Sequence, residues 1–433
     1  MKTLRLGICG LGTVASGVVN VLRRNKEEIA SRAGCNIEVV QIASRRKKDT
    51  CDLTGIEFTT DLNAVVTNPN VDVVLELIGG YSPAKELVES ALKNGKHVVT
   101  ANKALIAEHG NELFDLADAN NVSLCYEASV AGGIPIVKAV REGLAANQIK
   151  SISGIINGTG NFILTEMRDK GRDFADVLIE AQALGYAEAD PTFDVEGIDA
   201  AHKLVLLASA AFGIKLQFDK VFTEGISHVS TDDIKYAEEL GYSIKHLGIA
   251  KNSEAGVELR VHPTLIHKSA LISKVDGVMN AVVVAGDAVG ETLYYGAGAG
   301  SEATASAVIA DVIDIGRAIA NDASQIVPAF GCATDLLKDA LIIPIEDVVS
   351  SFYIRAMVTD APGALASIAS LMSSHGINID SISQNEAEQV GDMIPVIMLT
   401  HEVKEAKINQ AISAIEDLDT TAGPVVKLRV AEF

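Results

Sequence analysis

The sequence has no excess of basic residues and no apolar stretch long enough to cross a membrane. Its 36 Lys and Arg residues are outnumbered by 57 Asp and Glu, which gives a formal net charge of -21. A surface of this sign repels phosphate backbones and anionic lipids, so we expect no nucleic-acid or membrane partner and favour a small molecule instead. The amino terminus enters an apolar strand pattern and lacks the layout of a cleavable signal peptide, which predicts a cytoplasmic protein.

Cysteine is scarce as well. The chain has 5 cysteines, which are widely scattered and include no C-x-x-C pair. No histidine stands near them at metal-ligand spacing, so the pattern favours neither a disulfide framework nor a zinc site. We expect these thiols to be small buried side chains in a reducing compartment.

The first third of the chain alternates strands and helices. With 433 residues, 48% of them hydrophobic, the chain is long enough for two or three domains. A strand at 4–9, a helix after a glycine turn and a strand at 37–43 form a βαβ unit, which strands at 71–78 and 97–100 continue. This order predicts an α/β fold with a Rossmann-type doubly wound parallel sheet over 1–132.

The rest of the sequence predicts two more units. Residues 133–330, with helical patterns at 173–184 and 197–212, indicate a second, α+β domain for catalysis and dimerisation. The apolar helix at 302–321 is expected to return to the first domain, and a linker at 331–350 follows. Residues 351–433 show a βαββαβ order, which is typical of an independent ferredoxin-like module.

The motif GLGTVA at 10–15 follows a strand and opens a helix, the context in which a glycine pattern indicates a dinucleotide site. Gly10 permits the tight turn, Gly12 leaves room for a pyrophosphate, and Ala15 lets the helix pack closely on the strand. The N–H groups of the first helical turn then point toward the phosphates. The alternative is a glycine-rich turn that binds nothing.

The second strand ends in ASRRKK at 43–48, where an NAD-binding domain has a carboxylate for the ribose. Basic side chains at this position can pair with the 2′-phosphate of NADP. We therefore expect NADP, with NAD possible, and Arg45 as the leading contact. The alternative is a solvated basic loop.

A second set of polar residues surrounds the predicted helix at 197–212. Asp199 and Lys203 are four residues apart and share one face of a helix, and the preceding turn can bring Glu188 and Asp190 beside them. Oxidation of an alcohol by hydride transfer needs a group that takes the hydroxyl proton. A partly buried lysine suits this work because burial lowers the pKa of an amine, and the carboxylates could bind a substrate ammonium group.

The alternative is an exposed ion pair between positions i and i+4. However, the apolar run at 204–208 indicates a helix that enters a core. Lys103 ends the motif TANK at 100–103, at the carboxyl end of a parallel strand, where ligands of such sheets bind. Asn157 and Thr159, in the glycine-containing segment 155–162, are further candidates for substrate binding.

These motifs resemble, in the same order and over about residues 1–330, those of the homoserine dehydrogenase family. The matching segments are GLGTV at 10–14, ELIGG at 76–80, TANK at 100–103, GYAEADP at 185–191 with Asp199 and Lys203, and GAGAG at 296–300. The resemblance implies an NAD(P)-dependent interconversion of L-homoserine and L-aspartate 4-semialdehyde by hydride transfer. It places the enzyme in the biosynthesis of threonine, isoleucine and methionine.

The resemblance also implies residue roles. Lys203 is the proton donor and acceptor, and Lys103 is a second lysine near nicotinamide and substrate. Glu188 and Asp199 are substrate ligands, supported by Asp194. The residues at cofactor positions, in addition to Gly10 and Gly12, are Thr13, Val14, Arg45, Lys103, Gly185 and Gly300.

The family resemblance further implies a monovalent cation, usually sodium, in a turn that matches EASVAGGI at 127–134. Main-chain carbonyl oxygens suit such a hard cation. The implied ligands are the carbonyl groups of Glu127, Val130, Gly132 and Ile134. The residues by themselves indicate only a tight glycine turn.

The segments DAPGAL at 360–365 and SHGINID at 374–380 resemble an ACT domain, a module that often binds an amino acid between paired copies. One hypothesis is feedback by L-threonine through Gly363 and Asn378, and the other is an ACT domain that serves only as an oligomerisation surface. A homodimer or homotetramer is expected. No aspartokinase-like segment precedes residue 1, which predicts a monofunctional enzyme.

Two other functions compete with this interpretation. A semialdehyde dehydrogenase needs a cysteine nucleophile to form a thioester, and no cysteine lies within 185–203. A non-catalytic sensor of nucleotide and amino acid would keep the glycine loop and the ACT domain for binding alone. The intact Lys103, Glu188 and Lys203 favour an enzyme.

Overall fold

The computed structural model of the chain describes residues 2–48, 50–323, 325–384 and 393–433. Its amino-terminal part contains a parallel sheet in which, among the described residues, six strands follow the order β3-β2-β1-β4-β5-β6. The elements are β1 (Thr3–Cys9), α1 (Thr13–Arg24), α2 (Lys26–Ala33), β2 (Asn36–Ala43), β3 (Glu57–Thr59), α3 (Leu62–Val66), β4 (Val73–Glu76), α4 (Ala84–Lys93), β5 (His97–Thr100), α5 (Lys103–Ala119) and β6 (Leu124–Cys125). The predicted Rossmann-type sheet is confirmed.

Both faces of this sheet are covered, as its nearly continuous apolar strands require. Leu6 and Ile8 of β1 point into one core with α1, while Val74 and Val98 point into another with α4 and α5. Strand β1 pairs in parallel with β2 on one side and with β4 on the other, and the strand order reverses between β1 and β4. Ligands of doubly wound sheets bind in the crevice at this point, at the carboxyl ends of the strands.

The second region adds helices and longer antiparallel strands. Its elements are α6 (Ile136–Lys138), β7 (Ile149–Ile155), α7 (Gly158–Lys170), α8 (Phe174–Ala183), α9 (Thr192–Val195), α10 (Ile198–Phe212), β8 (Phe222–Thr223), α11 (Thr231–Glu239), β9 (Tyr242–Ser253), β10 (Gly256–His267), β11 (Met279–Gly286), β12 (Gly290–Ala297) and α12 (Ser301–Ala320). Helix α12 packs against α1 of the first sheet. At Gly17 a side chain would lie only 2.4 Å from the carbonyl oxygen of Ser301, so glycine permits this approach.

The carboxyl-terminal unit has the predicted βαββαβ order. Its elements are β13 (Val349–Thr359), α13 (Ala364–Ser374), β14 (Ile379–Gln384), β15 (Met393–Thr400), the short β16 (Val403–Lys404), α14 (Glu405–Glu416) and β17 (Thr421–Ala431). None of the helices in the described ranges is long and apolar enough to cross a membrane.

The expectation that this unit is independent is wrong. Strand β17 pairs in parallel with β10, with Thr264 opposite Arg429, and thereby joins the two regions in one sheet. Along its main path the order of that sheet is β12-β11-β7-β9-β10-β17-β13-β15-β14. Both β10 and β17 would otherwise present an unpaired edge, and their pairing satisfies the main-chain groups of both.

Candidate active site

A cleft of about 810 Å³ opens at the carboxyl ends of β1, β2 and β4. Gly10 turns there with a φ of +102°, and a side chain at this residue would lie 2.6 Å from the carbonyl oxygen of Leu77. Gly12 is different, since a side chain there would meet nothing within 4 Å. Gly10 therefore permits the tight turn, and Gly12 leaves the space beside it open. We call this the glycine cleft, and the residues that line it are Gly10, Leu11, Gly12, Ser44, Arg45, Arg46, Lys48, Thr60, Leu62, Leu77, Ile78, Gly79, Ser82 and Pro83.

The start of α1 suits a phosphate. Gly12 is its N-cap residue and offers no capping side chain, and the first turn of the helix has no acidic residue. The N–H groups of that turn, which lack partners within the helix, are thus available to an anion. Arg45 is exposed at the same cleft and supplies positive charge. These features fit a dinucleotide.

The loop at 77–83 is held by Glu76, a residue that the sequence indicates only as part of the motif ELIGG at 76–80. Its buried carboxylate accepts hydrogen bonds from the Thr100 hydroxyl at 2.6 Å and from the N–H groups of Ile78 and Gly79 at 2.9 and 3.2 Å. Asn102 Nδ2 donates to the carbonyl oxygen of Gly80 at 2.6 Å. The sequence feature that could have indicated this role of Glu76 is the presence of an acidic residue at the end of an apolar strand.

A polar cluster lies where α5, α7 and α10 begin, and its centre is the buried carboxylate of Asp199. One oxygen of Asp199 accepts a hydrogen bond from Lys203 Nζ at 2.7 Å, and the other lies 3.1 Å from Lys103 Nζ. Asn157 Nδ2 donates to Asp199 at 2.8 Å and to Asp194 at 2.7 Å. The polar cluster therefore consists of Lys103, Asn157, Asp194, Asp199 and Lys203.

Lys203 is not on a solvated face of its helix. Its side chain is 12% exposed, and its Nζ also donates to the carbonyl oxygen of Ile156 at 2.6 Å. Asn157 caps α7, because its side-chain oxygen accepts a hydrogen bond from the N–H of Gly160 at 2.7 Å. The exposed ion pair that the sequence left open is excluded by this burial.

Charges in the polar cluster depend on one another. Burial alone would raise the pKa of Asp199, but the ammonium groups of Lys203 and Lys103, with hydrogen bonds from Lys203 and Asn157, hold it well below its usual range. The same carboxylate raises the pKa of Lys103. Burial, followed by repulsion from Asp199, raises the pKa of Asp194. The arrangement can present an ammonium proton to a substrate oxygen while balancing the lysine charges.

Comparison with known proteins now decides the family. Residues 10–127 match the family model "Homoserine dehydrogenase, NAD binding domain", residues 135–313 match "Homoserine dehydrogenase", and residues 352–420 match "ACT domain". A homoserine dehydrogenase of Pseudomonas aeruginosa is 60% identical over 433 residues and is covered, like this chain, over its full length. The chain belongs to the homoserine dehydrogenase family.

Solved structures agree with this assignment. The structure of a homoserine dehydrogenase from Thiobacillus denitrificans has a TM-score of 0.95 at 54% identity, covering 100% of this chain and 99% of that one. A hyperthermophilic archaeal homoserine dehydrogenase in complex with NADPH has a TM-score of 0.62 at 26% identity and covers 72% of this chain and 97% of its own. The protein is thus an oxidoreductase that acts on a CH–OH group with a nicotinamide cofactor, and the non-catalytic sensor is not favoured.

Several residues of the family pattern lie outside the two groups described above. In the part of the chain that the structure describes, Thr13, Val14, Gly185 and Gly300 do not line the glycine cleft. Lys103 does not line it either, but it belongs to the polar cluster. The carbonyl oxygen of Thr13 accepts a hydrogen bond from the Ser301 hydroxyl at 2.8 Å. Gly300 is the N-cap residue of α12, and Gly185 turns with a φ of +75° after α8.

The turn at 185–190 carries Glu188. This glutamate is exposed, and Gln182 Nε2 donates to its main-chain carbonyl oxygen at 3.0 Å. The Thr159 hydroxyl donates to the carbonyl oxygen of Tyr186 at 2.7 Å and so ties the turn to α7. The structure therefore places Thr159 as a support of the turn that presents Glu188.

The four candidate ligand residues of the cation turn are buried, whereas Gly133 of the same turn is exposed. Ala131 and Gly132 both have left-handed backbone conformations, with φ of 51° and 32°. The carbonyl oxygen of Glu127 accepts a hydrogen bond from Val130 N at 3.3 Å, and that of Ile134 from Ile136 N at 2.8 Å. Each carbonyl keeps a second lone pair for a cation. Among the described residues no group of three or more His, Cys, Asp or Glu side chains could hold a metal.

Near the ACT domain start, Gly363 is the N-cap residue of α13 with a φ of 95°. Asn378 comes directly before β14, and its carbonyl oxygen accepts a hydrogen bond from His401 N at 3.0 Å. Both candidate regulatory residues therefore lie at the ends of elements of the carboxyl-terminal unit.

Proposed function

We propose that Lys203 transfers the hydroxyl proton in the interconversion of L-homoserine and L-aspartate 4-semialdehyde. The observation that carries this proposal is the hydrogen bonding of its Nζ, which donates to Asp199 and to the carbonyl oxygen of Ile156. A lysine ammonium group has three donors. Two are used by these bonds, and the third is left for a substrate oxygen.

A bound nicotinamide supplies a hydride in the direction of aldehyde reduction and accepts one in the reverse direction. As the hydride adds to the aldehyde carbon, the Lys203 ammonium group protonates the oxygen on which negative charge develops. Lys103, on the other side of Asp199, adds positive charge near that oxygen. In the reverse direction the Lys203 amine takes the hydroxyl proton, and Asp199 stabilises the ammonium group that forms.

The carboxylates of the site suit the ammonium group of the substrate. Glu188, Asp194 and Asp199 bring three negative charges against the two positive charges of Lys103 and Lys203. We assign substrate binding to these carboxylates, with Asn157 holding Asp194 and Asp199 in place. Thr159 supports the turn that carries Glu188.

NADP is the proposed cofactor, with NAD as the alternative. Support comes from the glycine cleft, which Arg45, Arg46 and Lys48 line where a ribose carboxylate ligand would otherwise stand. The archaeal relative described above was solved with NADPH. Thr13, Val14, Gly185 and Gly300 are proposed to approach the cofactor through main-chain or small side-chain atoms.

A monovalent cation, with sodium as the proposed ion, is assigned to the carbonyl oxygens of Glu127, Val130, Gly132 and Ile134. The left-handed conformation of Ala131, which is costly for a residue with a side chain, supports this proposal. An ordered main-chain loop of this kind can direct carbonyl oxygens to a hard cation.

Regulation by L-threonine at the ACT domain, through Gly363 and Asn378, is the proposed control of this activity. Gly363 offers no capping side chain at the start of α13, and the N–H groups of a first helical turn suit the carboxylate of an amino acid. Because ACT modules bind effectors when paired, the proposal includes a homodimer or homotetramer. A cytoplasmic location completes the proposal, in keeping with the reduced cysteines expected there.

A Lys203→Ala variant tests the proton-transfer role. We expect kcat to fall by roughly 10²–10⁴, the usual contribution of a general acid or base. NADPH binding, measured by fluorescence titration, should be unchanged, and Lys215→Ala, which removes an exposed lysine beyond the end of α10, serves as the control. A near-normal kcat in Lys203→Ala would contradict the assignment.

A further inference from the structure

Arg429 of β17 is buried between two carboxylates from different parts of the chain. Its Nε donates to Glu405 of α14 at 2.8 Å, and its Nη1 donates to Glu224 at 2.8 Å. Glu405 belongs to the ACT domain, whereas Glu224 follows β8 in the second region. The Arg429 side chain is 1% exposed and that of Glu405 2%, whereas the Glu224 side chain is 24% exposed. Both bonds join ionised groups, and such charge-assisted hydrogen bonds are stronger than neutral ones.

Glu224 lies in a segment, 222–227, that supports the turn before α10. Ile226 N donates to the carbonyl oxygen of Val195 at 2.9 Å, and the Ser227 hydroxyl donates to Glu196 at 3.0 Å. At Gly225 a side chain would come within 2.8 Å of that same Val195 oxygen. A displacement of Glu224 therefore displaces the turn at 195–197, which leads directly to Asp199.

His246 of β9 connects the same segment to two helix starts. Its Nε2 donates to the carbonyl oxygen of Glu224 at 3.0 Å, and the ring is buried. A side chain at Gly197, the N-cap of α10, would lie 3.2 Å from this ring, and one at Gly160 would lie 3.5 Å from its Nδ1. Gly160 donates its N–H to Asn157. One imidazole thus packs beneath the starts of α7 and α10, two of the three helices that carry the polar cluster.

We propose that Glu224 and His246 are positioning residues for the reaction, and that the ACT domain holds the polar cluster in its working geometry through Arg429. The chain of contacts runs from Arg429 to Glu224, from there to the imidazole and the turn at 195–197, and then to Asn157 and Asp199. This inference rests on the proposed role of Asp199 and Asn157 in substrate binding. It makes the ACT domain part of substrate positioning even when no effector is bound.

A second ion pair also joins the ACT domain to the second region, and it provides a matched comparison for the pair of Arg429 and Glu224. Arg355 of β13 binds Asp233 of α11 through its Nε at 2.7 Å, and Tyr353 donates to the same carboxylate at 3.0 Å. Among the described residues the other side-chain partner of Asp233 is Ser230, at the start of its own helix. This pair joins the ACT domain to the second region, and among the described residues none of its hydrogen bonds goes to the segment 222–227 or to the turn at 195–197. If Arg429 only held the two parts together, disruption of either pair would have the same effect on activity.

The experiment compares Glu224→Gln with Asp233→Asn in the full-length protein. Glu224→Gln keeps the shape and one acceptor, and Arg429 keeps Glu405 as its counterion. We expect the KM for homoserine to rise and kcat/KM to fall about tenfold, since small misplacements of reacting groups are costly, while the KM for NADP stays unchanged. Asp233→Asn should lower Tm and leave the KM for homoserine as in the parent. An unchanged KM in Glu224→Gln, or an equal increase in Asp233→Asn, would overturn the proposal.

Two variants of His246 keep the test decisive if Glu224→Gln folds poorly. His246→Gln retains a donor for the carbonyl oxygen of Glu224 and should keep much of the activity. His246→Leu fills similar space without a donor and should raise the KM for homoserine about tenfold. Equal KM values in the two variants would contradict the positioning role. If substitution of Asp199 were also without effect, the proposed function itself would fail, which separates the two outcomes.

Discussion

The glycine cleft takes most of its lining from three short stretches of chain, at 10–12, 44–48 and 77–83. The polar cluster instead collects Lys103, Asn157 and Asp199 from the starts of three different helices. In the cleft the important atoms belong to the main chain and need space, as Gly12 shows. In the cluster they belong to charged side chains that fix one another's ionisation.

This difference has consequences for substitutions. A change in the cleft should affect cofactor affinity by filling space or removing one contact, and the rest of the cleft should stay intact. A change in the polar cluster should alter several residues together, because groups in one hydrogen-bond network do not contribute additively. The predictions below test whether the two regions can be separated in this way.

The largest effect is expected for Asp199→Asn. The amide leaves Lys103 and Lys203 without their shared counterion, and loss of one partner of a buried ion pair costs roughly 3–5 kcal/mol. We expect kcat/KM for homoserine to fall about a hundredfold or more. NADPH affinity should not change if the two regions are separable. Asp190→Asn is the control, since this exposed carboxylate in the turn at 185–190 bonds only to Thr192 among the described residues.

Gly12→Ala should affect the cleft alone. The new methyl group enters the open space and blocks hydrogen bonds to phosphate, and such bonds to charged groups contribute about 1.5–3 kcal/mol each, so NADPH should bind about tenfold more weakly or worse. Tm should hardly change, because nothing lies within 4 Å of that position. Gly10→Ala should instead lower Tm through contact with Leu77. Fluorescence titration and thermal unfolding distinguish the two, and an altered KM for homoserine at saturating NADPH would contradict the separation.

Arg45→Ala examines the one part of the cleft that relies on a charged side chain. Loss of a charge-assisted bond to the 2′-phosphate should lower kcat/KM for NADPH about tenfold while that for NADH is unaffected. Lys47→Ala, a change at a neighbouring exposed residue outside the lining, is the control. If the preference between NADPH and NADH is the same in Arg45→Ala and the parent, Arg45 does not bind the 2′-phosphate.

The smallest effect concerns stability and pH in the second sheet. Burial lowers the pKa of His246 to about 4 and that of His262 well below its usual value. Between pH 6.5 and 4 the unfolded chain binds protons that the folded chain does not, so the free energy of unfolding falls as the pH falls. The slope is at most about 1.4 kcal/mol per pH unit for each histidine. Urea unfolding of His246→Gln should show a shallower decline, whereas His401→Gln, at an exposed residue, should follow the parent.

Much of the cleft could be predicted from the sequence because its determinants are local. The tight turn at Gly10 and the space at Gly12 follow from a strand, two glycines and a helix in succession. The pairing of Asp199 with Lys203 could also be predicted, since residues four apart share a helix face. The position of Lys103 after a parallel strand predicted that it lies on the ligand side of the sheet, but its contact with Asp199 was not predicted, because no local pattern relates residues so far apart in the chain.

Other features could not be predicted from local patterns. The support of the 77–83 loop by Glu76 depends on Thr100 from the neighbouring strand. The joining of β10 to β17 was missed and the carboxyl-terminal unit was wrongly taken as independent, because alternation identifies a strand without identifying its partner. The same holds for Arg429, whose burial between Glu405 and Glu224 leaves no mark in the residues around it.

The sequence by itself determined the order of strands and helices, the glycine turn and the spacing of Asp199 and Lys203, because each depends on periodicity and backbone conformation over a few residues. The tertiary structure decided which charged side chains come into contact. It placed Lys103 and Lys203 on the carboxylate of Asp199. It also placed Arg429 of the ACT domain beside the segment 222–227, which supports the turn before Asp199. Such contacts depend on how whole helices and strands pack, because packing brings together residues that are far apart in the sequence.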